Sequence, residues 1–302
     1  MFSTRSGAVK LSLIVVIGLT GLKVAVAVIT GSISIFAQAA DSFFDLFAVA
    51  ITFFAVGIAA KPADEEHPFG HGKVEDIAAI VQAVLIFTVG GLIIYSAVHR
   101  IIAGVTIELA EAGIGVMLVS IIVSIFLSRH LLKVLQATGS TALEANARNI
   151  AADVYSAAAV LAGLAAVRFT GLSILDPIVA LVVALFILKI AYDILRKSFG
   201  GLIDVRLPQA EEDEIRSCIM EHGGELVGFH ELRTRRAGNQ RFIEFHLVMP
   251  KNVSVEEAHR VCDHLEQEIE NRLQHTSVTI HVEPCSTECD QCSVSCSLRR
   301  NP

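Results

Sequence analysis

The stretch AQAADSFFDLFAVAITFFAVGIAA, residues 37–60, would pass for a membrane-spanning helix but for Asp41 and Asp45. A carboxylate at the centre of a spanning helix costs about 3 kcal/mol or more on insertion scales. Two of them four residues apart share one helix face, roughly 6 Å from each other. Charge kept at that cost calls for a neutralising partner, either a buried polar network or a cation held by the carboxylates themselves.

The rest of the chain extends this reading. Hydrophobic residues make up 53% of the 302 and the mean hydropathy is +0.60, beyond the range of an ordinary soluble domain. They crowd into residues 1–204, an expected membrane domain, while 205–284 read as a soluble domain and 285–302 as a cysteine-rich tail. A net charge of −7 with no basic face argues against a nucleic-acid partner. The start, MFSTRSGAVK, runs into a long apolar segment without a small-residue cleavage site and reads as a retained first span.

Six apolar segments, near 8–30, 34–60, 77–98, 111–130, 145–168 and 172–194, are long enough to cross ~30 Å of hydrocarbon at ~1.5 Å per residue. If they alternate, Arg5, Lys61, Lys133 and Lys197 fall on one side and only Arg100 and Arg168 clearly on the other. That asymmetry predicts both termini in the cytoplasm. Lys23, inside the first span, reads as an interior partner for an acid or as a snorkelling side chain.

After Asp204 the pattern becomes αββαβ, a compact α+β unit. QAEEDEIRSCIMEHGG is an amphipathic helix, and FHELRTRR and QRFIEFHLVMP are two strands joined at Ala237–Gly238. A second helix starts at Ser254, with Glu257 completing a capping box. Its apolar positions Ala258, Val261, Cys262, Leu265, Ile269 and Leu273 keep helical spacing. SVTIHVEP is the last strand. In the middle strand Ile243, Phe245 and Leu247 face one way and Glu244 and His246 the other. In the last, Val278, Ile280 and Val282 face the core, with His281 and Glu283 opposite. Cys218 and Cys262 read as core, and His264 and His275 as surface.

The aspartate pair has a counterpart in the fifth span, EANARNIAADVYSAAAV, where Asn149 and Asp153 also stand four apart. Two helices with two oxygen-bearing side chains each could close four ligands around one cation. The bland alternative for Asp41 and Asp45 is a structural network with Lys23 and Asn146. The loop ADEEHPFGHGK brings Asp64, His67 and His71 within reach of one ion, or is simply solvated. Cys285, Cys289, Cys292 and Cys296 follow a C-x3-C-x2-C-x3-C spacing. They suit Zn²⁺ or an iron–sulfur cluster, and equally a tail of free thiols.

Taken together, DSFFD, HPFGHGK, the pairing of spans two and five, and FHELRTR, RFIEFHL, EEAHRVCDHLE and IHVEPCS resemble the cation diffusion facilitator family. The resemblance covers roughly residues 8–285 and is nearest the bacterial ferrous-iron/zinc efflux branch. It implies six membrane helices, a cytoplasmic ferredoxin-like domain, a homodimer in the inner membrane, and exchange of a divalent cation (Zn, Fe or Mn) for protons. It assigns the transport site to Asp41, Asp45 and Asp153, with Asn149 standing where the family usually has histidine. It assigns a second site to Asp64, His67 and His71. A metal cluster of the soluble domain falls on His230, His246, His281 and Glu283, with His259 added from the helix. Lys73 and Asp204 match a family charge link between the two domains. The amide at Asn149 leaves an all-oxygen site that favours harder ions and lacks a group titrating near neutrality. A non-transporting metal receptor is the competing function; no nucleophile–base set or phosphate loop supports an enzyme or an organic cofactor.

Overall fold

The computed structural model describes residues 4–30, 33–103, 111–172, 174–223 and 226–285; helical side chains at 30, 33–41, 44, 111–113, 159–160, 163–168 and 176 are outside the description. The chain forms two compact units, Met1–Phe199 and Gly200–Pro302.

The first unit contains α1 (Arg5–Thr30), α2 (Ile33–Ala59), α3 (Val74–Ala103), α4 (Glu111–Thr138) and α5 (Thr141–Thr170), and most of α6 (Leu175–Leu202). Each helix contains nearly all of one expected apolar segment, and several run on past it, because polar first and last turns continue the helix beyond the apolar stretch. Four of them, α1, α3, α4 and α6, are long and apolar enough to cross a membrane among the described residues. In α2 the described apolar run is shorter, Asp45–Ala59. Helix α5 is the least apolar of the six, and its packing explains why.

One side of α5 packs Ala142, Leu143, Ala147 and Ile150 against Val9 and Val16 of α1, Val49 and Val56 of α2 and Leu131 of α4. The other packs Ala145 and Ala152 against Ala79, Ala83 and Ile86 of α3 and Ile187 and Ala191 of α6. Every residue from Thr141 to Ala147 is buried. A helix surrounded by protein tolerates polar side chains that lipid would penalise, and its alanines let neighbouring backbones approach closely. The outer helices are inverted, exposing Ile29, Ile102, Phe126 and Leu185. On α3, Gly90 lies where a Cβ would stand 2.7 Å from the Leu188 side chain of α6, so a larger residue there requires Leu188 to move.

Buried polar contacts join these helices. Gln82 donates to the Ala48 carbonyl at 3.2 Å and to Thr52, and Ser128 donates to the Ala147 carbonyl at 3.0 Å. Among the described residues Lys23 donates to Ser42 Oγ at 2.5 Å and Asn146 to Ser12 Oγ at 3.1 Å. At one end of the bundle the fully buried Glu75 accepts from Arg5 at 2.9 Å and from Ser140 at 2.5 Å, tying α1 and the start of α5 to α3. Nearby on α5, Glu144 pairs with Arg148 at 2.9 Å and with Lys197 of α6. Glu75→Ala strands Arg5 and Ser140 and is expected to cost about 3 kcal/mol, since deleting one partner leaves a poorly solvated charge behind. A lowered melting temperature in detergent, with a smaller drop for Glu75→Gln, is the check.

The second unit contains α7 (Gln209–Glu221), β1 (Gly228–Ala237), β2 (Gln240–Met249), α8 (Val255–Arg272) and β3 (Thr276–Pro284), in the αββαβ order. The three strands lie in the order β1-β2-β3. Antiparallel β1 and β2 are joined by a two-residue turn whose first residue, Gly238, has φ +61°, as a II′-type hairpin requires. Parallel β2 and β3 need a crossover, and α8 supplies it. Ser254 caps α8 by accepting from the Glu257 N–H at 3.1 Å. Ile215, Cys218 and Ile219 of α7 and Val261, Cys262, Leu265 and Ile269 of α8 bury against Ile243, Phe245 and Leu247 of β2. Burial pushes the Cys218 thiol up to about 11, as suits a core residue. Val282, expected to face the core, is 38% exposed at the far end of the edge strand β3.

Candidate metal sites

The membrane pairs sit on two helices that pack together. Asp41 and Asp45 lie one turn apart on α2, and Asn149 and Asp153 one turn apart on α5. Val49, one turn beyond Asp45, belongs to the same packed cluster as Ile150, beside Asn149. Asn149 is buried, and Asp45 and Asp153 are half-buried. The side chain of Asp41 lies outside the description.

The loop residues come together. Asp64 Oδ1 accepts from the His67 N–H at 2.7 Å and lies 3.2 Å from His67 Nδ1; its Oδ2 is 3.3 Å from His71 Nε2. Gly70, at φ +79°, turns the chain back so that the two rings stand 4.5 Å apart. One ligand atom from each of the three falls within 4.8 Å of the others. The backbone N–H of His67, with both imidazoles alongside, holds the Asp64 carboxyl below the usual carboxylate range.

On the open face of the sheet, strand register aligns three histidines. His230 pairs with His246, and His246 with His281, so one row crosses all three strands. Their rings are 5.2 and 4.7 Å apart. Glu283, two residues after His281, accepts from His246 Nδ1 at 2.9 Å and His230 Nε2 at 3.0 Å, and lies 3.7 Å from His281 Nε2. Partial burial pushes the Glu283 carboxyl up, but hydrogen bonds from His246 and His230 outweigh it and hold it below its ordinary value. His230, His246 and Glu283 thus form a ready donor set of two imidazoles and a carboxylate.

Two features of this face were not read from the sequence. The β1–β2 register shifts between His230 and Arg233, and Glu231 takes φ +52°, a left-handed backbone that non-glycine residues rarely adopt. The bulge returns Leu232 and Thr234 to the core side and brings Glu231 Oε2 to 3.9 Å from His246 Nε2. The signal was present: Phe229 and Leu232, both core-facing, are three apart and break a strict alternation. Elsewhere, His259 is exposed on α8 with Asp263 at 3.6 Å, and in the single chain it stands outside the His230–His246–Glu283 group. Asp204 lies 3.6 Å from Arg235, while Lys73 immediately precedes α3. Cys285 is buried, its N–H donating to the Met249 carbonyl at 2.8 Å. Cys289, Cys292 and Cys296 lie outside the described residues.

The chain is also similar to known proteins along most of its length. An uncharacterized transporter of Synechocystis sp. is 33% identical over 264 residues, 87% of this chain and 85% of its own. The cation-efflux pump FieF of Salmonella typhi is 35% identical over 257 residues, 85% of each chain. The solved metal-bound C-terminal domain of the CzcD transporter from Thermotoga maritima is 30% identical, covers 26% of this chain and 94% of its own, and has a TM-score of 0.24. The family model for the cation efflux transmembrane domain matches residues 9–203, and that for the cation efflux protein cytoplasmic domain matches residues 207–285. With both domain models matched in order, this multi-pass membrane protein belongs to the cation efflux family.

Proposed function

We propose that the protein exports a divalent transition metal across the inner membrane in exchange for protons, working as a homodimer with six spans and both termini in the cytoplasm. The observation that carries this is the placement of Asp45, Asn149 and Asp153 on two packed helices, one of them α5, whose first half is buried among its neighbours. With Asp41 they would supply three carboxylates and an amide to one ion. Metal and protons then compete for the same carboxylates, which titrate as a coupled set, and that competition links the two gradients. Asp64, His67 and His71 hold a second ion at the loop. Metal at His230, His246 and Glu283 biases the equilibrium between transport states to the extent that it binds one of them more tightly.

Reconstituted into liposomes with an imposed pH gradient, the protein should carry Zn²⁺, Fe²⁺ or Mn²⁺ against its gradient and dissipate ΔpH as it does so. Binding without flux would instead identify a metal receptor. Asn149→His should shift selectivity toward Zn²⁺ over Mn²⁺ by roughly tenfold, the equivalent of ~1.4 kcal/mol, because nitrogen is the softer ligand. It should also add a titration near neutral pH to the rate profile. If neither the ion order nor the pH profile moves, Asn149 does not touch the ion.

A further inference from the structure

A second group of possible ligands lies on the helical side of the soluble unit, away from the histidine row. His222 is the C-cap residue of α7, and His264 and Glu268 stand one turn apart on α8. One donor atom from each falls within 4.8 Å of the other two. The His222 and His264 rings meet edge-on, 5.1 Å apart. From this geometry we propose a metal site, distinct from the sheet-face cluster, in which a zinc-class divalent ion bridges α7 to α8 through His222, His264 and Glu268.

The ring of His222 is already oriented for the task. Its Nδ1 is 3.1 Å from the Cys218 carbonyl, and a carbonyl oxygen only accepts, so Nδ1 carries the hydrogen. In the neutral ring the lone pair is then on Nε2, which points at Glu268 Oε2 from 3.4 Å. A ligating histidine with its other nitrogen donating to a backbone carbonyl is the usual outer support of a metal site. The side chain of His222 is 12% exposed, so little rotamer freedom remains to be lost on binding.

Glu268 divides its two oxygens. Oε1 accepts from Arg272 at 2.6 Å, and the same guanidinium is gripped by Glu221 at 2.6 and 3.0 Å. Two carboxylates around one arginine leave an excess negative charge for a cation, and Oε2 faces His222. An ion bound at ~2.0–2.1 Å draws its ligand atoms to roughly 3.3 Å of one another; His222 Nε2 and Glu268 Oε2 already stand 3.4 Å apart, and the remaining donor atom lies within 4.8 Å of both. Two imidazoles and one carboxylate suit Zn²⁺ or Co²⁺, with a water completing the shell. With the hydrogen on Nδ1, the Nε2 lone pair and Glu268 Oε2 are two acceptors facing each other at 3.4 Å with no hydrogen between them, and an ion would satisfy both.

The site does not depend on the transport reading, because it asks only that α7 and α8 pack as they do. The test uses the full-length protein in detergent. Zn²⁺ bound per protomer at equilibrium dialysis should fall by one in His222→Ala/His264→Ala, with helix content unchanged by circular dichroism. The reverse test adds a signal. His264 is exposed, so His264→Cys should fold, and with Co²⁺ it should gain a thiolate-to-cobalt charge-transfer band relative to the parent protein. Loss of one ion together with the new band establishes the site. An unchanged zinc count, or no added band, overturns it.

Discussion

Asp45→Ala and Asp153→Ala, made singly, should each reduce metal flux in proteoliposomes by roughly 100-fold or more, the equivalent of ~2.8 kcal/mol of ion binding. Both variants should remain folded. Each aspartate is half-buried in a helix whose apolar neighbours pack independently of it, Val49 and Val56 on α2 and Ala152 on α5. Deleting a carboxylate there removes a charge from the bundle instead of opening a cavity in its core. Asp45→Asn keeps the shape and removes only the charge, so its flux separates the ion's need for a carboxylate from any packing effect. Near-normal flux in Asp45→Ala would remove that residue from the transport site.

The second large effect is expected at the histidine row. His246 is its central member, flanked by His230 and His281, and Glu283 receives hydrogen bonds from two of the three. In the wild type, Zn²⁺ at a hundred times its dissociation constant stabilises the folded state by about 2.7 kcal/mol per site. That amounts to several degrees in melting temperature. His246→Ala/Glu283→Ala should remove most of the zinc-induced shift while leaving the metal-free melting point nearly unchanged. The packing reason is plain: Phe245 and Leu247, on the opposite face of β2, keep the core. The metal supplied by α7 and α8 would survive this double variant, so a small residual shift is expected. A full wild-type shift would mean that the regulatory metal binds elsewhere.

Much of the architecture could be read from local pattern alone. Helical and strand periodicities are carried by neighbours in the chain, and so the six long helices, the αββαβ order and the inward face of β2 were legible. The i,i+4 spacing of Asp41 with Asp45, and of Asn149 with Asp153, was legible for the same reason. Together with the resemblance of whole motifs, it was enough to identify the family.

What tertiary structure alone decided concerns residues far apart in sequence. Nothing local says that His230, His246 and His281 share one row, because register is set where β1 meets β2 and β2 meets β3. The bulge at Glu231 shifts that register and re-aims a carboxylate at the row. Helix α5 reads from the sequence as one more apolar span; only its place among α1, α2, α3, α4 and α6 explains why its polar side chains are tolerated. Glu75 is 65 residues from Ser140 and 70 from Arg5. His264, which spacing marks as a surface residue, meets His222 only because α7 and α8 pack side by side. A residue's periodicity is set within a few turns of its own chain, whereas its neighbours in space depend on how whole elements dock, and these sites are made of such neighbours.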